Sequence, residues 1–487
     1  MSPLGKALMA LHAWGGMIFS WLLIPVFITG SIAVFEPEVS HWMQPELTAH
    51  PTRPSDAVAL AEAHLNEHAS DQPFWRIRLP SEREPHIGVA WGKTPRQLHE
   101  ETLDAVSGEP LHERETEGGH FFTHFHADLL LGVPGRWIVG AAGIVMLAAL
   151  VSGILIHHRF FAEFFTLRPH AGKRRAWLDL HNLSGVASLP FLLMITYTGC
   201  VILAETFMPA ATHALYDGNP RANRAEVVKS FERKPSGVPA GMLPLTTHLA
   251  AAEAILGEGK VSSLLVRHPG DRNGLVQAYR HVDDRLAAVS DHVTFDAANG
   301  TLFGQQTDWN PMTYAYRAQV GLHTAHFGGL PLRWLYFLSG LLGALMMAAG
   351  TALLLRKRRQ RAGEDRPQRL LDALGAASIP GSILASLAYL ATNRLIPADT
   401  GGRETLEIAA FFAVWAITLI HALLRRRRAW HQQFVAASVA CALLALADTY
   451  SGGLVDAARR GVDLTLLATG ALLFASSRRF FRTGDAT

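Results

Sequence analysis

Apolar residues in this chain gather into long runs instead of recurring on the short periods of soluble helices and strands. Windows of ~20 apolar residues, enough to cross ~30 Å of hydrocarbon, lie near residues 9–35, 133–157, 182–204 and 331–355. Four weaker runs follow near 376–396, 405–424, 432–450 and 462–477, and the first of these carries Pro380, Asn393 and Arg394. The pattern predicts a polytopic α-helical membrane protein with about eight spans. Two polar segments, 36–122 and 205–320, interrupt it. Each holds an Ala-rich helical stretch (Ala57 to Ala69; His248 to Leu256) followed by strand-like pieces and turn signals, which predicts two small α+β domains.

Charge orients these elements. The 487 residues are 49% apolar and 17% charged, with a formal net charge of only +3, so a chain-wide basic character suited to nucleic acid is absent. Arginine is nevertheless clustered, from Arg159 to Arg175, Arg356 to Arg361, Arg425 to Arg428 and Arg478 to Arg482. With eight spans every cluster falls on one side, which is the cytoplasmic side by the positive-inside rule. The N-terminus is then cytoplasmic, and both polar segments face the opposite compartment. The first run is too long for a signal-peptide core and is expected to stay as an anchor. Cys200 and Cys441 both lie in apolar runs, so neither a disulfide framework nor a thiolate metal site is expected.

The chain also repeats itself. Leu11-His12 and Leu180-His181 open the first and third spans, and Thr29-Gly30 and Thr198-Gly199 follow these histidines at the same distance. At the second and fourth spans His126, Gly132, Pro134, Arg136 and Trp137 match His323, Gly329, Pro331, Arg333 and Trp334 at identical offsets. In the polar segments Thr102 to Gly108 parallels Thr294 to Gly300. The unit of helix, external domain and helix therefore occurs twice with parallel topology, which implies a pseudo-two-fold axis along the membrane normal.

That axis sets His12 against His181 near the cytoplasmic face and His126 against His323 near the external face. A pair of imidazoles meeting across a helix bundle satisfies the two axial positions of a six-coordinate haem iron. Two pairs at two depths imply two haems. The competing readings are hydrogen-bonded structural histidines and sites for a naked metal ion, since imidazole also suits zinc and copper. His157 ends the second span and is an alternative ligand or cofactor neighbour, with His158 beside it. His120, His124 and His326 flank the external pair. Arg136 and Arg333 suit haem propionates through bidentate contacts, and interfacial snorkelling explains them equally well. Trp137 and Trp334 fit an aromatic belt. Gly15, Gly16, Gly30, Gly185 and Gly199 permit close approach of a flat macrocycle or of another helix. His421 and His431 are read as part of a solvated turn.

With these strings in hand the chain resembles the PepSY-associated transmembrane family, the iron-regulated membrane proteins that include ferric-siderophore reductases. The resemblance rests on Leu11-His12, His126 through Trp137, Ser152 through His157, Phe164 through Pro169, Asp179 through Asn182, and Leu322 through Trp334. It spans about residues 5–360. It implies a pseudo-two-fold four-helix core binding haem b through His12, His126, His157, His181 and His323, two extracytoplasmic PepSY-like domains, and electron passage to a periplasmic iron complex in a bacterial inner membrane. On that reading residues 1–35, 123–157, 179–204 and 321–355 are the core spans. Segments 36–122 and 205–320 are the periplasmic domains, 158–178 and 356–372 are cytoplasmic loops, and 373–487 is a C-terminal extension with about four further spans.

The expected function is reduction of a ferric siderophore from Fe(III) to Fe(II) for iron release. Its partners are that substrate, an unidentified electron donor and membrane lipid. No Gly-rich dinucleotide fingerprint sits in a strand-turn-helix setting, so the donor is expected to be a separate molecule. The rival readings are a non-redox membrane sensor or binding protein and a metal-ion carrier.

Overall fold

The computed structural model describes residues 2–47, 52–95, 97–156, 173–363, 365–450 and 456–480. The chain falls into two compact units. One comprises Met1–Pro45, Arg114–Phe207 and Gly329–Thr487, and the other Glu46–Glu113 and Met208–Gly328.

In the first unit, seven helices among the described residues are long and apolar enough to cross a membrane: α1 Pro3–Ala33, α2 Val133–Ile156, α3 Arg175–Ile202, α4 Leu330–Arg361, α5 Arg366–Leu395, α6 Arg403–Arg425 and α7 Arg428–Tyr450. An eighth long helix, α8 Ala457–Phe480, is not among them, so seven of the expected eight runs are helices of that length and apolarity among the described residues. Its sequence sets Asp463 one turn inside an N-terminus that carries Arg459 and Arg460. Helix α8 lies along α7, and its Leu466 and Leu473 are part of the unit's apolar core.

Helix α4 packs along both α1 and α3, and α2 touches α1 and α3. The repeated halves thus share one helix cluster, cored by Leu23, Ile24, Met146, Leu192 and Met347. Helix α5 continues that core with Tyr389 and Leu390. The run that carries Pro380, Asn393 and Arg394 is the most enclosed of the seven, with 78% of its apolar window buried. An enclosed helix tolerates polar residues because neighbouring helices satisfy them. Asn393 donates to Glu407 at 2.8 Å. Arg394 pairs with the fully buried Asp448 and lies 4.2 Å above the Trp42 ring, while Arg459 reaches the same Asp448 at 2.7 Å. Pro380 sits in a π turn, Ala377–Gly381, where a missing N–H is accommodated by the wider backbone pattern.

In the second unit, β1 Phe74–Arg78, β2 Ile87–Thr94, β3 Gln97–Leu103, β4 Pro110–Leu111, β5 Val261–Arg267, β6 Leu275–Arg280, β7 His292–Asp296 and β8 Leu302–Gln306 form one antiparallel sheet in the order β4-β3-β2-β1-β5-β6-β7-β8. Each polar segment contributes four strands and one covering helix, Pro54–His68 or Leu245–Leu256. The two modules are joined at β1 and β5, from Phe74 opposite Arg267 to Arg78 opposite Ser263. The two expected domains therefore share one sheet and one apolar core, in which Val58 and Leu65 meet Trp75, Leu249, Val266 and Phe295. The repeated turn strings are structurally equivalent: Asp104 accepts from the Ser107 N–H at 2.7 Å, and Asp296 accepts from the Asn299 N–H at 3.3 Å. Gly108 and Gly300 close these turns at φ 75° and 72°, a conformation that favours glycine. The flanking pieces Glu36–Met43 and His120–Asp128 are helices of the first unit.

Candidate functional site

The histidines expected near the cytoplasmic face come together. His12 lies in a π turn, Leu11–Gly15, within α1, an irregularity that frequently marks functional positions. Its Nδ1–H donates to the Ala149 carbonyl of α2 at 2.9 Å, with the Ser152 hydroxyl at 3.5 Å. His181 on α3 donates through Nδ1–H to the Met346 carbonyl of α4 at 2.7 Å. The ring centroids are 6.1 Å apart with planes at 77°. Both rings line a cavity of about 380 Å³ whose wall includes Phe19, Leu23, Met346 and Thr351.

The repeat extends to the anchoring groups. Ala149 lies 23 residues after His126, and Met346 lies 23 residues after His323. Gly153 and Gly350 follow those histidines by 27 residues each. A Cβ on Gly153 would stand 3.0 Å from the His12 ring, and one on Gly350 would stand 3.0 Å from His181 Nδ1. Each imidazole is thus held between a carbonyl and a glycine of the neighbouring half-helix, and the two arrangements are equivalent. The residues that do this were not singled out from sequence. The signal was their shared offset from a histidine already identified.

These side chains fit a metalloporphyrin. Donation from Nδ1–H to a carbonyl assigns the lone pair of a neutral imidazole to Nε2 and orients the ring, as metal-binding histidines require. Two imidazoles held at about 2 Å on opposite sides of one metal have centroids roughly 6 Å apart, which matches the observed spacing. Among the described residues no group of three or more His, Cys, Asp or Glu converges.

The remaining expected residues are distributed as follows. His126 lies in the last turn of the helix His120–Asp128 and donates to the Val26 carbonyl at 2.8 Å, with Gly30 against its ring. His323 is in the last turn of Pro311–Thr324, in the other compact unit. His157, His158 and most of the basic segment beginning at Arg159 lie outside the described residues. Arg333 is paired with Glu38 at 2.9 Å in a half-enclosed position, whereas Arg136 is exposed and 3.9 Å from Asp128. A propionate at Arg333 would therefore compete with Glu38. His120 pairs with Glu36 at 2.8 Å and His124 with Glu117 at 3.6 Å, while His326 bonds the Thr324 hydroxyl at 2.8 Å. His421 and His431 are partly exposed on either side of the α6–α7 turn; His421 bonds Gln432 at 3.0 Å and His431 reaches the Ser477 carbonyl at 3.3 Å, tying α6 to α7 and α7 to α8.

The sequence profile of the PepSY-associated TM region matches residues 9–357. The chain belongs to this family. An uncharacterized protein of Pseudomonas aeruginosa is 29% identical over 369 residues, covering 72% of this chain and 92% of that protein. The PepSY-TM match takes in both imidazoles of the cavity, their carbonyl anchors and both glycines, and it stops at Lys357. Helices α5 to α8 lie beyond the PepSY-TM region.

Proposed function

We propose that this PepSY-TM chain is a haem-binding oxidoreductase of a bacterial inner membrane, with its N-terminus in the cytoplasm, that reduces a ferric siderophore in the periplasm. The observation that carries this reading is the His12 and His181 pair: two imidazoles from duplicated halves, each anchored on the equivalent carbonyl, facing one cavity at 6.1 Å. Haem b, when bound, supplies a one-electron Fe(III)/Fe(II) couple.

The protein's own part is ligation and environment. Ala149 and Met346 hold the ligand tautomers and raise the basicity of Nε2 through Nδ1–H donation. Phe19, Leu23 and Leu189 give the cavity apolar walls, and such a shell biases a redox centre through the local dielectric. The sequence repeat makes His126 and His323 the candidate ligands of a second haem, and His126 is anchored on the Val26 carbonyl. The ferric chelate is the substrate. Hard oxygen donors hold Fe(III) better than Fe(II), so accepting one electron loosens the iron. The electron donor is a separate molecule on the cytoplasmic side or in the membrane.

An absorption spectrum of the purified protein with haem counting tests the proposal. A Soret band with sharp, reducible α bands and two haems per chain is expected. His12→Ala and His181→Ala should each remove the same haem, and His126→Ala and His323→Ala the other. Loss caused by His157→Ala with His12→Ala silent would move the cytoplasmic pair. A colourless protein that still binds a ligand through its sheet-containing unit would refute the redox reading in favour of a non-redox binding protein.

A further inference from the structure

We propose that the ends of α4 to α7 form a binding site for the phosphate of an anionic phospholipid. The site lies beyond the PepSY-TM match, in the part of the chain for which the family offers no role. Arg359 from the end of α4, Arg369 and Asp372 from the start of α5, Leu423 and Arg426 at the end of α6, and Trp430 from the first turns of α7 line one small pocket.

Charge bookkeeping leaves this pocket cationic. Arg359 pairs with Asp372 at 2.8 Å, and just outside it Arg358 pairs with Asp365 at 3.3 Å. Arg369 and Arg426 meet no carboxylate among the described residues. Two guanidinium groups converging at a helix-end pocket are a ready anion site, and their planar forks match phosphate oxygens. Arg426 also adopts φ 49° and ψ −122°, a backbone region costly for a residue with a Cβ and characteristic of functional clamps.

The surroundings favour a lipid over a free ion. Leu423 forms part of the pocket wall and continues into an exposed apolar face of α6 through Ile420 and Ile417. Leu370, next to Arg369 in the chain, is half exposed. An acyl chain lies along such a stripe while its headgroup stays at the basic membrane surface, which is how cationic pockets between membrane helices take anionic lipids.

The full-length protein in detergent, presented with phosphatidylglycerol, phosphatidylcholine or inorganic phosphate, tests the assignment by native mass spectrometry of retained ligand. Wild type should retain phosphatidylglycerol over phosphatidylcholine. Arg369→Gln with Arg426→Gln should weaken phosphatidylglycerol roughly tenfold to thirtyfold, the effect of two surface cations, and leave phosphatidylcholine unchanged. Equal phosphatidylglycerol retention by wild type and the double variant would overturn the proposal. Displacement of the lipid by millimolar inorganic phosphate would also overturn it, and would assign the pocket to the free ion. Should the double variant fail to fold, each single variant is expected to bind several-fold more weakly, and unchanged binding in both refutes the site.

Discussion

The arrangement of glycine, imidazole and carbonyl around each cavity histidine can be tested by adding one carbon. In Gly350→Ala the new Cβ would lie 3.0 Å from His181 Nδ1, and in Gly153→Ala it would lie 3.0 Å from His12 Cε1. Ordinary contacts begin near 3.4 Å, so each ring must retreat by about 0.4 Å. For His181 that retreat is away from α4, the helix that also supplies the Met346 carbonyl, and it stretches a bond now at 2.7 Å. Loss of such an outer-shell partner lowers metal affinity by roughly 10- to 100-fold, or about 1.4 to 2.8 kcal/mol. Haem content per chain at limiting haem, read from the Soret band and a pyridine haemochrome count, is the assay. Both variants should lose occupancy to a similar degree, because their surroundings are equivalent. A wild type that binds haem beside variants with full content and unchanged bis-imidazole spectra would refute the geometric argument. A strong effect in only one variant would refute the equivalence of the halves.

Gly30→Ala should displace His126 outright, since its Cβ would overlap the imidazole at Nδ1; one of two haems should be lost with the His12 and His181 site spared, as counted spectroscopically. Asp448→Ala leaves Arg394 and Arg459 buried without their shared carboxylate, and should cost about 3–5 kcal/mol, visible as a lower Tm in detergent. Replacing all three by apolar residues of similar volume should cost much less, and an equal loss would refute the charge argument. Asp271 accepts from the backbone N–H groups of Ser236, Asn273 and Gly237, which hold its carboxyl at about 2, below the ordinary 3.8. Its contribution to the turn is fully present above pH 3.8 and fades as pH falls through about 2. Protection of the Gly237 and Asn273 amides from exchange should show that step in wild type and lack it in Asp271→Asn; identical pH profiles would refute it.

Much of this protein was legible along the chain because membrane helices and internal duplication are local or periodic signals. Apolar length marks the spans, and matching offsets align His12 with His181 and His126 with His323 before any coordinate is known. Hydropathy treats a run as if it faced lipid, so it undervalued α5, whose Asn393 and Arg394 find partners in the interior. Alternation marked strands in each polar segment but carried no word on partners, because β1 and β5 meet across more than 180 residues of chain. The carbonyl anchors were equally hidden. Every residue has a carbonyl, so composition cannot name Ala149 and Met346, and only the packing of α2 on α1 and α4 on α3 brings those two to the imidazoles. Thus the class, the repeat and the ligand candidates belong to the sequence by itself. The orientation of each ring, the shared sheet and the buried ion pairs arise from contacts between distant segments, and the tertiary structure alone decided them.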